Sequence, residues 1–119
     1  MKALVIDDEA AMRALIATIL RGAGHEVIEA ADGRIGMELF ERHQPELVIT
    51  DIIMPNQEGI ETIRTLHRLR PDVRIIAISG GGHGQFDFLG MAREFGALAT
   101  LAKPFRKQEL LDVVARVAH

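Results

Sequence analysis

The chain has 119 residues, of which 48% are hydrophobic and 26% are charged, a composition typical of one folded globular domain and not of a disordered chain. Its 17 acidic and 14 basic residues give a formal charge of −3, and no run of Lys or Arg is long enough to follow a phosphate backbone, so we expect no direct nucleic-acid binding. Acidic residues end the first apolar run far below the length of a signal peptide or membrane span, and the chain has no cysteine. We therefore expect a cytoplasmic protein with no membrane contact, no disulfide and no thiolate chemistry.

Five short apolar runs rich in Val and Ile predict five strands, at residues 3–6, 26–29, 47–50, 74–78 and 98–102. Segments with apolar residues at helical spacing lie between them. The first begins near Ala10 and ends at Gly22 and Gly24, and the others are predicted near residues 34–43, 58–69, 86–95 and 106–118. Strict alternation of strand and helix predicts a single α/β domain over residues 1–119, a doubly wound (βα)5 sandwich with helices on both faces of a mostly parallel sheet.

In such sheets the functional crevice lies beyond the carboxyl ends of the strands. The residues just past the predicted strands are Asp7 and Asp8 after the first, Asp51 after the third, Ser79 after the fourth and Lys103 after the fifth. Three carboxylates, one hydroxyl and one ammonium are therefore expected to converge on one edge of the sheet.

Neighbouring carboxylates repel one another, by about 4 kcal/mol at about 4 Å in a medium of effective dielectric near 20, so a compensating charge is expected. Hard oxygen ligands without Cys or His suit Mg²⁺, with Lys103 beside it. Asp51 is the better candidate nucleophile for an aspartyl phosphate because it stands alone on a central strand, whereas Asp7 and Asp8 suit the metal.

Each of these residues also has an ordinary interpretation. Asp7 or Asp8 alone is a candidate cap for the first helix, Asp51 and Ser79 are candidate turn residues, and Lys103 is a candidate surface lysine. Independent surface residues have no reason to meet at one edge, so their predicted convergence favours phosphoryl chemistry.

With these residues in place, the motifs VIDDEA, DIIMPNQEG, ISG and AKPF resemble those of the receiver domain of two-component response regulators, over essentially the whole chain. The resemblance implies a flavodoxin-like five-stranded parallel sheet in the strand order 2-1-3-4-5. It also implies that Asp51 accepts a phosphoryl group from a sensor histidine kinase or a histidine phosphotransfer protein. Such a domain catalyses only its own phosphorylation and dephosphorylation and is not otherwise an enzyme.

The resemblance also implies a ligand set for Mg²⁺. Asp8, Asp51 and the main-chain carbonyl of Ile53 would hold the ion, and Asp7 would act through water. Ser79 would be the switch hydroxyl, and Lys103 would pair with the phosphate next to a cis Lys103–Pro104 bond.

Phosphorylation of such a domain is expected to shift the face made by helix 4, strand 5 and helix 5. This face would contact a downstream protein target, and a dimer through it is a further expectation. If the chain has its natural length, it would be a stand-alone receiver that shuttles phosphate or regulates by protein contact.

Three features depart from the family pattern. Thr100 occupies the position, three before the lysine, where receivers usually place a switch aromatic, so aromatic reorientation cannot be the readout. Ile53 and Gly81 occupy positions that often tune phosphate lifetime, and neither offers a polar side chain. The loop SGGGHGQFDF is unusually rich in glycine, over Gly80–Gly84. We expect a flexible lid beside the site; the alternative interpretation is that His83 reaches the phosphoryl group or a partner.

Other functions fit less well. A haloacid-dehalogenase-like phosphatase needs a second Asp two residues after its nucleophile, where this chain has Ile53 or Glu9. A flavodoxin-like electron carrier needs amides and hydroxyls for the flavin phosphate where the first loop of this chain has the acidic stretch DDEA, and its stacking aromatics are missing from this sequence. A receiver-like scaffold that is never phosphorylated is the remaining alternative, and the intact set of acids, hydroxyl and lysine argues against it.

Overall fold

The computed structural model describes residues 1–52, 58–80 and 88–118. Its strands are β1 (Lys2–Ile6), β2 (Glu26–Ala30), β3 (Leu47–Asp51), β4 (Arg74–Ser79) and β5 (Ala99–Ala102). Its helices are α1 (Ala10–Gly22), α2 (Gly33–His43), α3 (Glu58–Leu69), α4 (Phe88–Phe95) and α5 (Lys107–Ala118). The ten predicted elements are thus confirmed in type and order.

All five strands are parallel and lie in the order β2-β1-β3-β4-β5. This arrangement confirms the doubly wound (βα)5 sandwich and the expected strand order. Strands β3 and β4 each run one residue further than predicted, so Asp51 and Ser79 are their last residues and not the first residues beyond them. The ladder continues because the Ile52 amide donates to the Ile78 carbonyl at 2.9 Å and the Lys103 amide donates to the Ser79 carbonyl at 2.7 Å.

Two apolar layers cover the sheet, one on each face. Successive side chains of a strand point to opposite faces, so Val5 of β1 enters one layer and its neighbours Leu4 and Ile6 enter the other. Helices α1 and α5 cover the first layer with Ile16, Leu20, Leu110 and Val114. Helices α2, α3 and α4 cover the second with Phe40, Ile63, Leu66 and Ala92. Because both faces are buried, the strands are continuous apolar runs in the sequence.

The first helix ends close to where the glycines predict. Gly22 is still its last helical residue, and Gly24 has a φ of 93°, a left-handed conformation that residues with a Cβ rarely adopt. The chain then turns back into β2 at the amino end of the sheet. In the part of the chain that the structure describes, none of the helices has the length and hydrophobicity needed to cross a bilayer.

Candidate functional site

The carboxyl edge of the sheet brings Asp7, Asp8 and Asp51 together, as the sequence predicts. One carboxylate oxygen from each residue lies within 4.8 Å of the others. Asp7 and Asp51 are buried, whereas Asp8 is exposed. The cluster therefore has a buried floor of two carboxylates and one side open to solvent.

Lys103 compensates the charge of the buried floor. Its Nζ lies 2.8 Å from Asp51 Oδ2 and 3.2 Å from Asp7 Oδ2. Burial disfavours the charged ammonium, but the hydrogen bonds and negative charges of Asp51 and Asp7 outweigh this effect and raise the pKa of Lys103 above its ordinary value. Lys103 is therefore a permanent cation at neutral pH, shared between the two buried acids.

Asp7 is held by contacts from several elements. Its amide donates to the Ala30 carbonyl at the end of β2 at 3.1 Å, and its Oδ1 accepts from the Glu9 amide at 2.9 Å. The N-cap of α1 is Glu9, so the interpretation of Asp7 or Asp8 as the helix cap is wrong. Asp7 instead stabilises the turn that precedes the helix, because its side chain accepts a hydrogen bond from the backbone amide two residues further along the chain.

Asp51 lies where α3 packs closely against the end of β3. A Cβ built on Gly59 would lie 2.6 Å from the Asp51 carbonyl oxygen and would also overlap the Cα of Ile52. Only glycine therefore lets the start of α3 approach the end of β3 this closely. We did not predict a role for Gly59, although a glycine within an otherwise helical pattern is a signal of close approach.

Ser79 is buried at the carboxyl end of β4. Asp51 pairs with Ile78 across the β3–β4 ladder, so Ser79 follows the residue that is paired with Asp51. Ser79 itself pairs with Ala102, directly before Lys103. The register thus places the acid and the hydroxyl at the ends of β3 and β4 and the lysine directly after β5, the next strand of the sheet.

The remaining sequence predictions divide into those that can be located and those that cannot. The Lys103–Pro104 peptide bond is cis, as the resemblance implies. Thr100 is half-buried on β5 opposite Ala77. The Ile53 carbonyl, Gly81 and His83 lie outside the described residues.

A basic residue that we did not predict also contacts the acidic loop. The Arg13 Nη1 of α1 donates to the Asp7 carbonyl oxygen at 2.7 Å. In the sequence Arg13 is one polar residue on an amphipathic helix, and nothing in the spacing separates it from ordinary solvent-facing residues. Its contact depends on how the first turn of α1 is oriented relative to the loop that precedes it.

The donor set fits a hard divalent cation. The three residues that converge in the described part of the chain all offer carboxylate oxygens, without sulfur or imidazole. Mg²⁺ takes one or two carboxylates, keeps several waters and is completed by phosphate oxygens. One exposed acid beside two buried ones leaves room for such waters on the solvent side.

This fold with an acidic edge and a single shared lysine is that of a signalling receiver. Residues 3–115 match the model of the response regulator receiver domain, and the chain belongs to that family. Two curated relatives illustrate its range. The transcriptional regulatory protein PdtaR of Mycobacterium tuberculosis is 38% identical over 116 residues, which are 95% of this chain and 54% of that protein. The sporulation initiation phosphotransferase F of Bacillus subtilis is 29% identical over 97% of this chain and 91% of that protein.

A solved structure gives the same assignment. The receiver domain of NtrX from Brucella abortus superposes with a TM-score of 0.89 at 31% identity, over 97% of this chain and 96% of that chain. The chain spans about half the length of PdtaR, so the function of that whole protein is not transferred to it.

Proposed function

We propose that this chain is a cytoplasmic phosphoacceptor of a two-component phosphorelay, and that Asp51 receives the phosphoryl group in a Mg²⁺-dependent transfer. The donor would be a sensor histidine kinase or a histidine phosphotransfer protein. The observation that carries the proposal is the position of Lys103 Nζ, within hydrogen-bond distance of both Asp51 and Asp7 inside a cluster of three carboxylates.

Asp51 is the acceptor in this proposal because it is the acid at the end of the central strand β3, where Lys103 Nζ lies 2.8 Å from its Oδ2 and Ser79 ends the adjacent strand β4. A carboxylate oxygen of Asp51 forms the new bond to phosphorus. The bond between phosphorus and the imidazole nitrogen of the donor breaks, and its electron pair leaves with that nitrogen. The products are an aspartyl phosphate and a free histidine on the donor.

Charge neutralisation and positioning do most of the work in phosphoryl transfer. Asp8, Asp51 and the main-chain carbonyl of Ile53 would hold Mg²⁺, with Asp7 acting through water, and the ion would supply positive charge near the transferring oxygens. Lys103 supplies a second positive charge, and its ammonium needs only to leave Asp51 Oδ2 to contact the phosphoryl oxygens. Ser79, one residue beyond the partner of Asp51 in the ladder, supplies the hydroxyl.

Phosphorylation replaces one negative charge with about two at neutral pH and adds strong acceptor oxygens. Ser79 and Lys103 are then drawn toward the phosphate, and the face formed by α4, β5 and α5 changes its population between two states. This face is where a downstream protein target, or a second copy of the chain, would bind. With Thr100 on β5, the change is transmitted without an aromatic side chain.

Intact mass spectrometry tests the proposal. We expect the wild-type protein, incubated with acetyl phosphate and Mg²⁺, to gain the mass of one phosphoryl group. Asp51→Asn and a chelated wild-type sample are expected to gain none, whereas Asp112→Asn, an exposed substitution on α5, is expected to behave like wild type. A folded wild-type protein that gains no mass and binds no Mg²⁺ would favour the scaffold alternative.

The donor can then be identified by transfer from purified histidine kinases labelled on their histidine. Rapid loss of label from one kinase, with its appearance on this chain but not on Asp51→Asn, would identify the partner. Label on the Asp51→Asn variant would instead assign the acceptor to another residue.

A further inference from the structure

Arg13 connects the acidic loop to strand β2. Its Nη1 donates to the Asp7 carbonyl oxygen at 2.7 Å, and its Nε lies 3.6 Å from Glu29 Oε1. The side chain is 20% exposed, so the guanidinium is largely covered although it lies on the first turn of α1. One planar cation thus contacts both the loop that carries the acids and the strand beside it.

With the contact from Arg13 to the Asp7 carbonyl, the amide, the carbonyl and both carboxylate oxygens of Asp7 each have a hydrogen-bond partner. The Asp7 amide is bonded to Ala30, Oδ1 to the Glu9 amide and Oδ2 to Lys103. The carbonyl oxygen is the group that belongs to the peptide plane joining Asp7 to Asp8. Its orientation sets the direction in which the backbone enters Asp8, the exposed acid of the cluster.

Glu29 in turn orients Arg13. The carboxylate lies between Arg13 and Arg21, whose Nη1 is 3.4 Å from Glu29 Oε2. Arg21 also donates to the Val27 carbonyl at 3.1 Å, so within the described part of the chain its guanidinium contacts β2 and not the acidic loop. The ion pair between Arg13 and Glu29 is partly exposed, so its attraction adds little stability, and its main effect is to hold the Arg13 guanidinium in one direction.

We propose that Arg13, oriented by Glu29, is a positioning residue for the divalent-cation site: it fixes the Asp7–Asp8 peptide so that the Asp8 carboxylate faces the other two acids. The inference rests on the proposed function, because it assumes that this cluster binds Mg²⁺. Groups that orient metal ligands from outside the ligand set typically change metal affinity by about 10-fold to 100-fold when removed.

The sign of the effect separates positioning from simple electrostatics. Arg13 is a positive charge beside an acidic cluster, so its removal would strengthen cation binding if charge alone mattered. Positioning predicts the opposite, because a peptide plane that is free to rotate leaves Asp8 in several orientations and ordering it costs free energy on binding.

The test is Mg²⁺ binding to the full chain, measured by isothermal titration calorimetry on wild type, Arg13→Met and the matched control Arg21→Met. We expect Arg13→Met to weaken Mg²⁺ binding by about 10-fold and Arg21→Met to bind like wild type. Phosphorylation by acetyl phosphate should then need more Mg²⁺ for half-saturation in Arg13→Met but reach the wild-type rate at saturation. A merely structural defect would not produce this separation.

Unchanged or tighter Mg²⁺ binding by Arg13→Met, with normal binding by wild type, would overturn the inference alone. A wild-type protein that binds no Mg²⁺ would overturn the proposed function and the inference with it. Thermal unfolding in chelator checks that Arg13→Met is folded. If it is not, Arg13→Lys decides, since it keeps the charge but cannot contact Asp7 and Glu29 together: weaker binding supports the inference and wild-type binding overturns it.

Discussion

Both ends of the parallel sheet carry a lysine beside acids, but the two sites differ in burial. At the carboxyl end, the Lys103 side chain is 15% exposed and its partners Asp7 and Asp51 are 1% and 6% exposed. At the amino end, Lys2 Nζ lies 3.7 Å from Glu26 Oε2, with side chains 36% and 70% exposed. The same pair of residue types is therefore a desolvated network at one end and a solvated contact at the other.

The difference shows that burial by the fold decides how strongly two charges of the same kind interact. Two unit charges at about 4 Å interact by about 1 kcal/mol in water but about 4 kcal/mol at an effective dielectric near 20. The buried charges at the carboxyl end thus interact strongly with one another, and leaving one of them unpaired is costly. The exposed charges at the amino end interact weakly, and losing a partner there costs little. Substitutions at the carboxyl end should therefore change the free energy of unfolding more than those at the amino end.

The largest contrast is expected from removing each lysine. Lys103→Met leaves Asp7 and Asp51 buried without a cation, and we expect the free energy of unfolding to fall by about 3 kcal/mol in the absence of divalent cations. Lys2→Met should cost less than about 1 kcal/mol. Urea unfolding of both variants measures the two costs, and equal losses would show that burial does not separate the two ends.

Gly59→Ala tests the close packing beneath Asp51. The added Cβ would overlap the Ile52 backbone, so we expect a loss of about 2 kcal/mol in unfolding free energy, together with slower phosphorylation of Asp51. Gly22→Ala, at the end of α1 near the other end of the sheet, meets nothing within 4 Å and should be neutral or stabilising by up to about 1 kcal/mol. A tolerated Gly59→Ala would mean that α3 moves easily away from the end of β3.

Asp8→Asn sharpens the comparison by removing the exposed member of the acidic cluster. Without divalent cations we expect a gain of about 1 kcal/mol in unfolding free energy, because repulsion from Asp7 and Asp51 is relieved. Saturating Mg²⁺ should raise the melting temperature of wild type and have little effect on Asp8→Asn. Asp112→Asn should respond to Mg²⁺ as wild type does, and an equal response of all three proteins would place the cation elsewhere.

The smallest effect is expected at the amino end, from His25. Its Nδ1 lies 3.0 Å from the amino group of Met1, and burial together with the positive charge of that group lowers the pKa of His25 below its ordinary value. The folded protein therefore binds the His25 proton less tightly than the unfolded chain does. This contribution to stability is fully present above about pH 6.5 and is lost as the pH falls below it.

Urea midpoints between about pH 7.5 and about pH 5 measure this loss. His25→Gln should flatten the part of the curve that His25 contributes, with the remaining slope unchanged. A His25→Gln curve that parallels wild type throughout would show that another group is responsible.

The fold and most of the candidate site could be predicted from local pattern. The apolar runs at 3–6 and 47–50 required burial on both faces, which only a covered parallel sheet provides. The same runs determined which polar residues follow the strands, and hence that Asp7, Asp8 and Lys103 belong to one edge. The strand ends were less predictable. Asp51 and Ser79 belong to their strands because the backbone amides of Ile52 and Lys103 donate hydrogen bonds to β4, and such contacts between strands are not encoded by any single segment.

The sequence by itself determined the order of the elements, the family and the residues at the carboxyl edge, because these follow from hydrophobic periodicity and from chemistry written into short motifs. Only the tertiary structure decided the contacts between elements. Arg13 contacts the Asp7 carbonyl, Gly59 fits against Asp51, and Lys103 is shared between two acids because segments distant in sequence pack together. Periodicity shows which side of a helix is buried, whereas the partner of each polar group depends on where the rest of the chain is packed.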